Sequence, residues 1–308
     1  MSDLILHHYW PSPFAHKIRL ALGLSGIPWK SVEIPRVPPK PLLMPLTAGY
    51  RRTPVLQSGA DVYCDTQNIV RALTEVTENR QLLPAELRGK ILAFTDWADG
   101  IVFNLAARVV LTSALDTAPA KFIQDRGGLY FEPNWTPEGL TSQLPGVILQ
   151  LAAHLNSIDS GLSGQGGFIS NELSYADVTI AYLAWFIRGR WDQGPEFLQQ
   201  FANIERIERE VHDAVCESYE DLPAEDALKL PANSESQSPS GVSEQCGVAL
   251  KQGMQVAIKP QAETSDQPVV GRLRYLDRVR VSIDYNASEV GDVVVHLPVA
   301  GYQIQSCE

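Results

Sequence analysis

The residues that first suggest chemistry are a serine and a proline at a helix start. Ser12-Pro13 follows an apolar stretch over 3–9. Serine is a favoured N-cap, and proline suits the first helical position, where its missing N–H costs nothing. Phe14, Ile18, Ala21, Leu22 and Leu24 then recur at helical spacing. A hydroxyl there sits beside exposed N–H groups and the positive end of the helix dipole, which favour an anion by about 0.3–1 kcal/mol. Ser12 is therefore an anion-holding hydroxyl or a cap alone. A second such start is Asp65-Thr66, ahead of Ile69, Val70 and Leu73. It again offers either a binding carboxylate and hydroxyl or a plain cap. Cys64, Cys216, Cys246 and Cys307 lie far apart, with no Cys-x-x-Cys and no Cys/His pair at ligand spacing, so neither a disulfide framework nor a metal site is expected. His7, His8 and His16 lie near the first loop, and no metal role is assigned to them.

Positioning these groups requires a mixed scaffold. The stretch 3–9 reads as a strand, 13–24 as a helix ended by Gly26-Ile27-Pro28, and 29–34 as a second strand. A proline-rich connection, 35–45, follows. Residues 52–57 and 61–64 read as two short strands joined through Ser58-Gly59-Ala60, a hairpin. The order β-α-β then β-β-α is that of a thioredoxin-like domain, assigned to 1–82. Residues 86–221 read as an all-helical domain, with main runs over 91–115, 140–158, 175–187 and 197–219. Ser174 with Asp177 resembles a capping box, and Leu173 with Val178 a hydrophobic staple. A polar stretch, 222–246, reads as a linker. Beyond it, 248–250, 255–258, 271–275, 278–285 and 292–297 read as strands of a small all-β module, 247–308, of barrel or sandwich form. The fold class is thus multi-domain α/β.

Composition narrows the function classes. A chain of 308 residues with 44% hydrophobic content holds two or three domains with proper cores. Its net charge of −11 argues against nucleic acid and anionic membrane as partners. No apolar run approaches the length of a membrane helix. Met1 to Leu6 lacks a basic region and a long apolar segment, so no signal peptide is expected and the cytoplasm is the expected location.

The segment from Tyr9 to Arg19 resembles the active-site loop of cytosolic glutathione transferases. Omega-class members carry Cys-Pro-Phe-Ala there, and theta- and zeta-like members a serine. Ser12-Pro13-Phe14-Ala15 thus implies an omega/theta-like protein with a serine-type loop and Ser12 at the catalytic position. The resemblance implies that Ser12 donates to the glutathione thiolate and lowers the thiol's pKa. Tyr9 is the alternative activator, because tyrosine-type transferases place a tyrosine at the end of the first strand. Thr53-Pro54 matches the position before the family's cis-proline, where the Thr53 backbone would pair with glutathione. A trans proline opening an edge strand is the other reading. Asp65-Thr66-Gln67-Asn68-Ile69 matches the family's Glu-Ser-x-x-Ile and implies contacts to the γ-glutamyl end. Lys40, thirteen positions before Thr53, matches an omega-like lysine that meets the glycine end. Phe14 completes the expected glutathione site. Arg51 and Arg52 are either nearby positive charge or solvated loop charges.

The resemblance also implies a hydrophobic electrophile pocket between the first two domains, formed by Trp10, Phe103, Asn104, Ala107 and Arg108. For Phe103, core packing is an equal reading. The implied function is glutathione transferase activity, in which the thiol of bound glutathione is activated for attack on a hydrophobic electrophile or a peroxide, with glutathione as co-substrate, no metal and a homodimeric assembly. Cys64, one strand from the loop, could stand in for the omega cysteine only if it faced the pocket. The alternative is a non-catalytic binding or scaffold protein that uses the β module for protein interaction.

Overall fold

The computed structural model describes residues 3–307 apart from 78, 163 and 165. Met1 and Ser2, at the head of the expected leaderless N-terminus, and Glu308, the last residue of the expected β module, lie outside the described residues. Two compact units divide the chain. The first comprises 1–18, 28–73 and 218–308, and the second 19–27 and 74–217.

The opening order is as the periodicity implies. Strand β1 (Leu4–His8) leads to α1 (Pro13–Leu24) and β2 (Trp29–Glu33), then β3 (Val55–Ser58), β4 (Asp61–Cys64) and α2 (Thr66–Thr77). β1 pairs parallel with β2 and antiparallel with β3, and β3 pairs antiparallel with β4. Gly59 takes the positive φ, 61°, that the tight β3–β4 turn needs.

The helical unit holds α3 (Arg88–Trp97), a π-helical segment over Ala98–Val102, α4 (Phe103–Ser113), α5 (Ala120–Tyr130), α6 (Pro137–Gly161), α7 (Tyr175–Arg190), α8 (Gly194–Leu198) and α9 (Ala202–Ala214). The capping box at α7 forms. Asp177 accepts from the Ser174 N–H at 2.8 Å and from the Phe168 N–H at 2.6 Å, so one buried carboxylate ties the cap to the preceding loop. The expected helix over 197–219 is two helices, and it ends at Ala214.

After that helix the chain returns to the first unit. β5 (Tyr219–Asp221) pairs parallel with β2. The expected linker, 222–246, is ordered and packed. It contains α10 (Ala224–Lys229), 3-10 turns at Pro231–Asn233 and Glu244–Cys246, and the short β6 (Gly241–Val242), which pairs with β8 (Val269–Leu276). Ala227 is fully buried, and the Gln57 side chain donates to its carbonyl at 3.1 Å.

The C-terminal strands depart from the expected separate module. β7 (Gln255–Pro260), β8, β9 (Arg280–Ala287), β10 (Gly291–Pro298) and β11 (Tyr302–Ser306) continue the first unit's sheet, in the order β11-β7-β8-β9-β10-β4-β3-β1-β2-β5. The junction is β10 on β4, parallel, with Val295 opposite Val62. Residues 248–250 form no strand, and Val248 is exposed. One core serves both parts: Ile5, Val55 and Val62 cluster with Val256, Leu273, Ile283 and Val295. The alternation expected over 278–285 holds only in part: Val281 and Ile283 are buried in this shared core, but Ser282 between them is buried too, and Val279 lies before the strand and is exposed. β11 pairs only with β7 among the described strands, yet the Tyr302 hydroxyl meets the Asp65 carboxylate just past β4. The sheet therefore curls back on itself without closing a barrel by strand pairing.

Because the core is shared, residues 247–308 expressed alone should show neither amide dispersion nor a cooperative melt. A folded fragment would overturn the shared-core account. A second expectation concerns pH. His7 is fully buried on β1, its Nε2 is 2.8 Å from Gln57 Oε1, and burial lowers its pKa from 6.5 to about 4. Between those values the unfolded chain binds more protons, so stability rises with pH and is lost as pH falls below 6.5. Urea unfolding at pH 5 should show about 2 kcal/mol less stability from this group than at pH 7. His7→Gln should flatten the slope.

Candidate functional site

The serine loop forms as a helix cap. The Ser12 N–H donates to the Tyr9 carbonyl at 3.1 Å, closing the turn after β1. Ser12 Oγ accepts from the Ala15 N–H at 3.2 Å, and the Ser12 carbonyl takes the His16 N–H. The oxygen's acceptor role leaves the hydroxyl hydrogen to serve as a donor. Ser12 is buried, and so is Tyr9, whose ring lies 5.9 Å from Lys40 Nζ. Phe14 is half-buried, with Lys17 Nζ 5.5 Å from its ring. Trp10 packs edge-on against His8 at 4.9 Å and against Tyr219 of β5 at 5.5 Å.

Residues far apart in sequence converge beside β3. Lys40 is buried in the proline-rich connection, and its Nζ donates to Thr53 Oγ1 at 2.9 Å and to the Arg51 carbonyl at 2.8 Å. The Thr53–Pro54 peptide bond is cis, as is Pro38–Pro39. Asp65 caps α2 from a left-handed conformation, φ 72°, which an aspartate tolerates better than most residues. Its Oδ1 accepts from the Gln67 N–H at 2.9 Å and its carbonyl from the Ile69 N–H at 2.9 Å. Thr66, the first residue of α2, is buried. Lys40, Thr53, Pro54, Asp65 and Thr66 thus lie in one unit, with Lys40 and Thr53 in direct contact.

Arg51 and Arg52 are not solvated loop charges. Asp266, from the turn between β7 and β8, accepts from Arg52 at 2.6 and 2.8 Å and from Arg51 at 3.1 Å. Arg51 also donates to the Ser265 hydroxyl at 2.7 Å, and Thr264 donates to Asp266 at 2.9 Å. Although burial opposes ionisation, the two guanidinium groups hold the Asp266 carboxyl below its usual range. The sequence held no signal for this partner, since some two hundred residues separate it from the arginines.

Cys64 does not supply a redox partner. Its side chain is fully buried in the shared core, and burial, with the Asp65 charge beside it, raises its thiol well above the ordinary range. A thiol so raised stays protonated and inert.

The remaining expected residues belong to the helical unit. Phe103 is 2% exposed and stacks on Phe186 at 5.5 Å, with Tyr130 edge-on at 5.2 Å. Ala107 is 1% exposed. Both are core residues of that unit rather than an open wall. Asn104 donates to the Tyr130 carbonyl and accepts from Arg108 Nε at 3.1 Å. Arg108 pairs with Glu132 and covers the Phe131 ring at 5.2 Å.

A Ser-His-Asp arrangement also appears, unannounced by any motif. Ser282 Oγ is 2.8 Å from His296 Nδ1, and His296 Nε2 is 2.9 Å from Asp61 Oδ1. Burial lowers the His296 pKa, so the ring is neutral, donating from Nε2 and accepting the serine hydrogen at Nδ1. Ser282 and His296 are both fully buried, and Ser236 and Gln237 also donate to Asp61, at 2.6 and 3.1 Å. With no access for a substrate, the arrangement is a tie between β4, β9, β10 and the segment after α10. Among the described residues, no group of three or more His, Cys, Asp or Glu could hold a metal ion, and no helix is long and apolar enough to cross a membrane.

The β-α-β-β-β-α order, with a serine-capped first helix, a cis-proline before β3 and a carboxylate-hydroxyl cap on α2, is that of a thioredoxin-fold domain. Residues 6–81 match the family described as glutathione S-transferase, N-terminal domain. These residues are thus similar to a glutathione S-transferase N-terminal domain. The "Probable glutathione S-transferase parA" of Nicotiana tabacum is 27% identical over 123 residues, 39% of this chain and 56% of that protein. Glutathione S-transferase U22 of Arabidopsis thaliana shows the same identity and coverage. The chain thus spans about half the length of these curated relatives. A solved GST-like protein from Pseudomonas syringae is 28% identical, with a TM-score of 0.75, over 99% of this chain and 100% of its own. That likeness takes in the C-terminal strands. A glutathione S-transferase from Methylobacillus flagellatus, solved with glutathione bound, shares the fold at 17% identity and a TM-score of 0.52, over 69% of this chain and 99% of its own.

Asp266→Asn should lower unfolding stability by about 2 kcal/mol, because it leaves two partly buried guanidinium groups short of a counter-charge. Guanidinium-free urea denaturation measures this, and an unchanged midpoint would count against the pairing.

Proposed function

We propose that this protein is a glutathione transferase with a serine-type, omega/theta-like loop, which binds glutathione on its first unit and activates its thiol for attack on a hydrophobic electrophile or a peroxide. The observation that carries the reading is the contact of Lys40 with Thr53 beside the cis Pro54, with the Asp65-Thr66 cap following β4 in the same unit. Asp65 receives the γ-glutamyl ammonium, and Thr66 with the α2 amides receives the γ-glutamyl carboxylate. The Thr53 backbone pairs with the cysteinyl peptide as an added strand would. Lys40 supplies positive charge toward the glycyl carboxylate.

The reaction needs little from the protein beyond holding a thiolate. As the thiol proton leaves to solvent, the Ser12 hydroxyl donates to the sulfur anion, and the α1 N-terminus adds its favourable dipole. The thiolate then forms the new bond to the electrophilic atom while the leaving group departs with the electron pair. Trp10 is the first unit's candidate for an electrophile contact, Asn104 and Arg108 are candidates in the second, and a homodimer in the cytoplasm is the assembly and location that the family suggests. The scaffold reading relied on a free-standing β module, and the core that this segment shares with β1–β4 removes that support.

Immobilised glutathione should retain the protein. Ser12→Ala should lower kcat/KM with a halo-aromatic electrophile about 100-fold, the scale for one lost anion donor. Loss of the cap should cost about 1 kcal/mol of stability, so a melting curve separates lost chemistry from lost fold. Neither retention nor turnover by the wild-type protein would sink the reading.

A further inference from the structure

The C-terminal strands reach the candidate glutathione site at the residue expected to recognise the γ-glutamyl group. The Tyr302 hydroxyl, on the first residue of β11, donates to Asp65 Oδ2 at 3.1 Å. An ionised carboxylate only accepts, so the hydroxyl hydrogen points at Asp65. Burial raises the Tyr302 phenol well above its ordinary range, so it stays a protonated donor.

This hydrogen bond addresses a specific geometric need. A family-like glutamate would reach outward from the α2 cap, whereas Asp65 is one methylene shorter. Left to itself, a short carboxylate at a helix N-terminus folds onto its own amides, as Oδ1 does with the Gln67 N–H. Tyr302 takes the other oxygen. A carboxylate offers about four acceptor sites, so two remain for a ligand ammonium while the plane of the group is pinned from both sides. Asp266 fastens the same C-terminal region to Arg51 and Arg52, next to Thr53.

We propose that Tyr302 is a positioning residue for glutathione: through its hydrogen bond to Asp65 it orients the carboxylate that receives the γ-glutamyl ammonium. The inference rests on the proposed glutathione-transferase reading. It assigns the C-terminal strands a part in thiol-substrate specificity, beyond completing the core.

The test uses the full chain and Tyr302→Phe, with kcat and KM measured against a halo-aromatic electrophile for three thiols. Glutathione and γ-glutamylcysteine carry the γ-glutamyl group, and cysteinylglycine does not. KM for the first two should rise about 5- to 20-fold, the scale of one lost hydrogen bond to a charged group. The kcat values and the KM for cysteinylglycine should hold within about twofold of wild type, since a uniform loss of fold would move all of them. Combined with Asp65→Asn, the substitution should add no further rise, because both act on one interaction. Tyr302→Leu, which removes the same hydroxyl, should raise the same two KM values, and it carries the test should Tyr302→Phe not fold. Equal KM rises for all three thiols, a fall in kcat alone, or unchanged KM values in a folded variant would overturn the inference. Wild-type protein that neither binds glutathione nor turns over would overturn the parent reading instead.

Discussion

The unpaired edge of β4 is the constraint on which the rest of this structure depends. A four-stranded sheet that ended at β4 would present a row of backbone donors and acceptors to solvent, with Val62 and Cys64 of the core close behind it. β10 takes that edge in parallel register, and the Val294 N–H donates to the Ala60 carbonyl at 2.9 Å just before it. An edge covered in this way no longer invites pairing with other chains. At the opposite edge, β5 covers β2.

Much else follows from that junction. With β10 in place, Asp61 at the start of β4 faces His296 of β10, and the stacking of Tyr63 on His296 at 4.5 Å reinforces the pair. Ser236 closes the third side, so the stretch after α10 is drawn onto the sheet. Val269 and Leu273 of β8, Val281 and Ile283 of β9, and Val293, Val295 and Leu297 of β10 extend the hydrophobic core of β1, β3 and β4. Right-handed twist, accumulated over five added strands, turns the sheet back on itself. β11, last in sheet order, thereby arrives near the end of β4 and the start of α2.

Charge follows the same path. Arg51 and Arg52 precede the cis-proline and would crowd two cations beside a buried lysine. Asp266 offsets both, and Asp65, a little further on, is held between its own helix and Tyr302. The groups expected to recognise a small peptide are thus oriented by residues from the opposite end of the chain. In the helical unit, by contrast, Asp177 and Asn104 are tied within their own surroundings.

What the sequence determined by itself was local. Ser12-Pro13, Asp65-Thr66 and Ser174 with Asp177 each specify a helix start within a few residues, because a cap needs only its own backbone neighbours. The β-α-β-β-β-α order and the glycine turn at Gly59 were legible for the same reason. Lys40 was legible too, but only through resemblance. Tertiary structure alone decided where the β-patterned segment belongs, because alternation marks a buried face without naming what buries it. For the same reason 222–246 read as a linker: its few apolar residues, Leu222, Ala227 and Leu228, acquire meaning only against the sheet they cover. Phe103 and Ala107 became core residues by the same kind of decision. The Ser12 loop at the start of the chain could be read from eleven residues, whereas the partners of Asp65 and of Arg51 and Arg52 could not. A hydrogen bond across more than two hundred residues depends on how the whole sheet curls, and no spacing in the sequence encodes that.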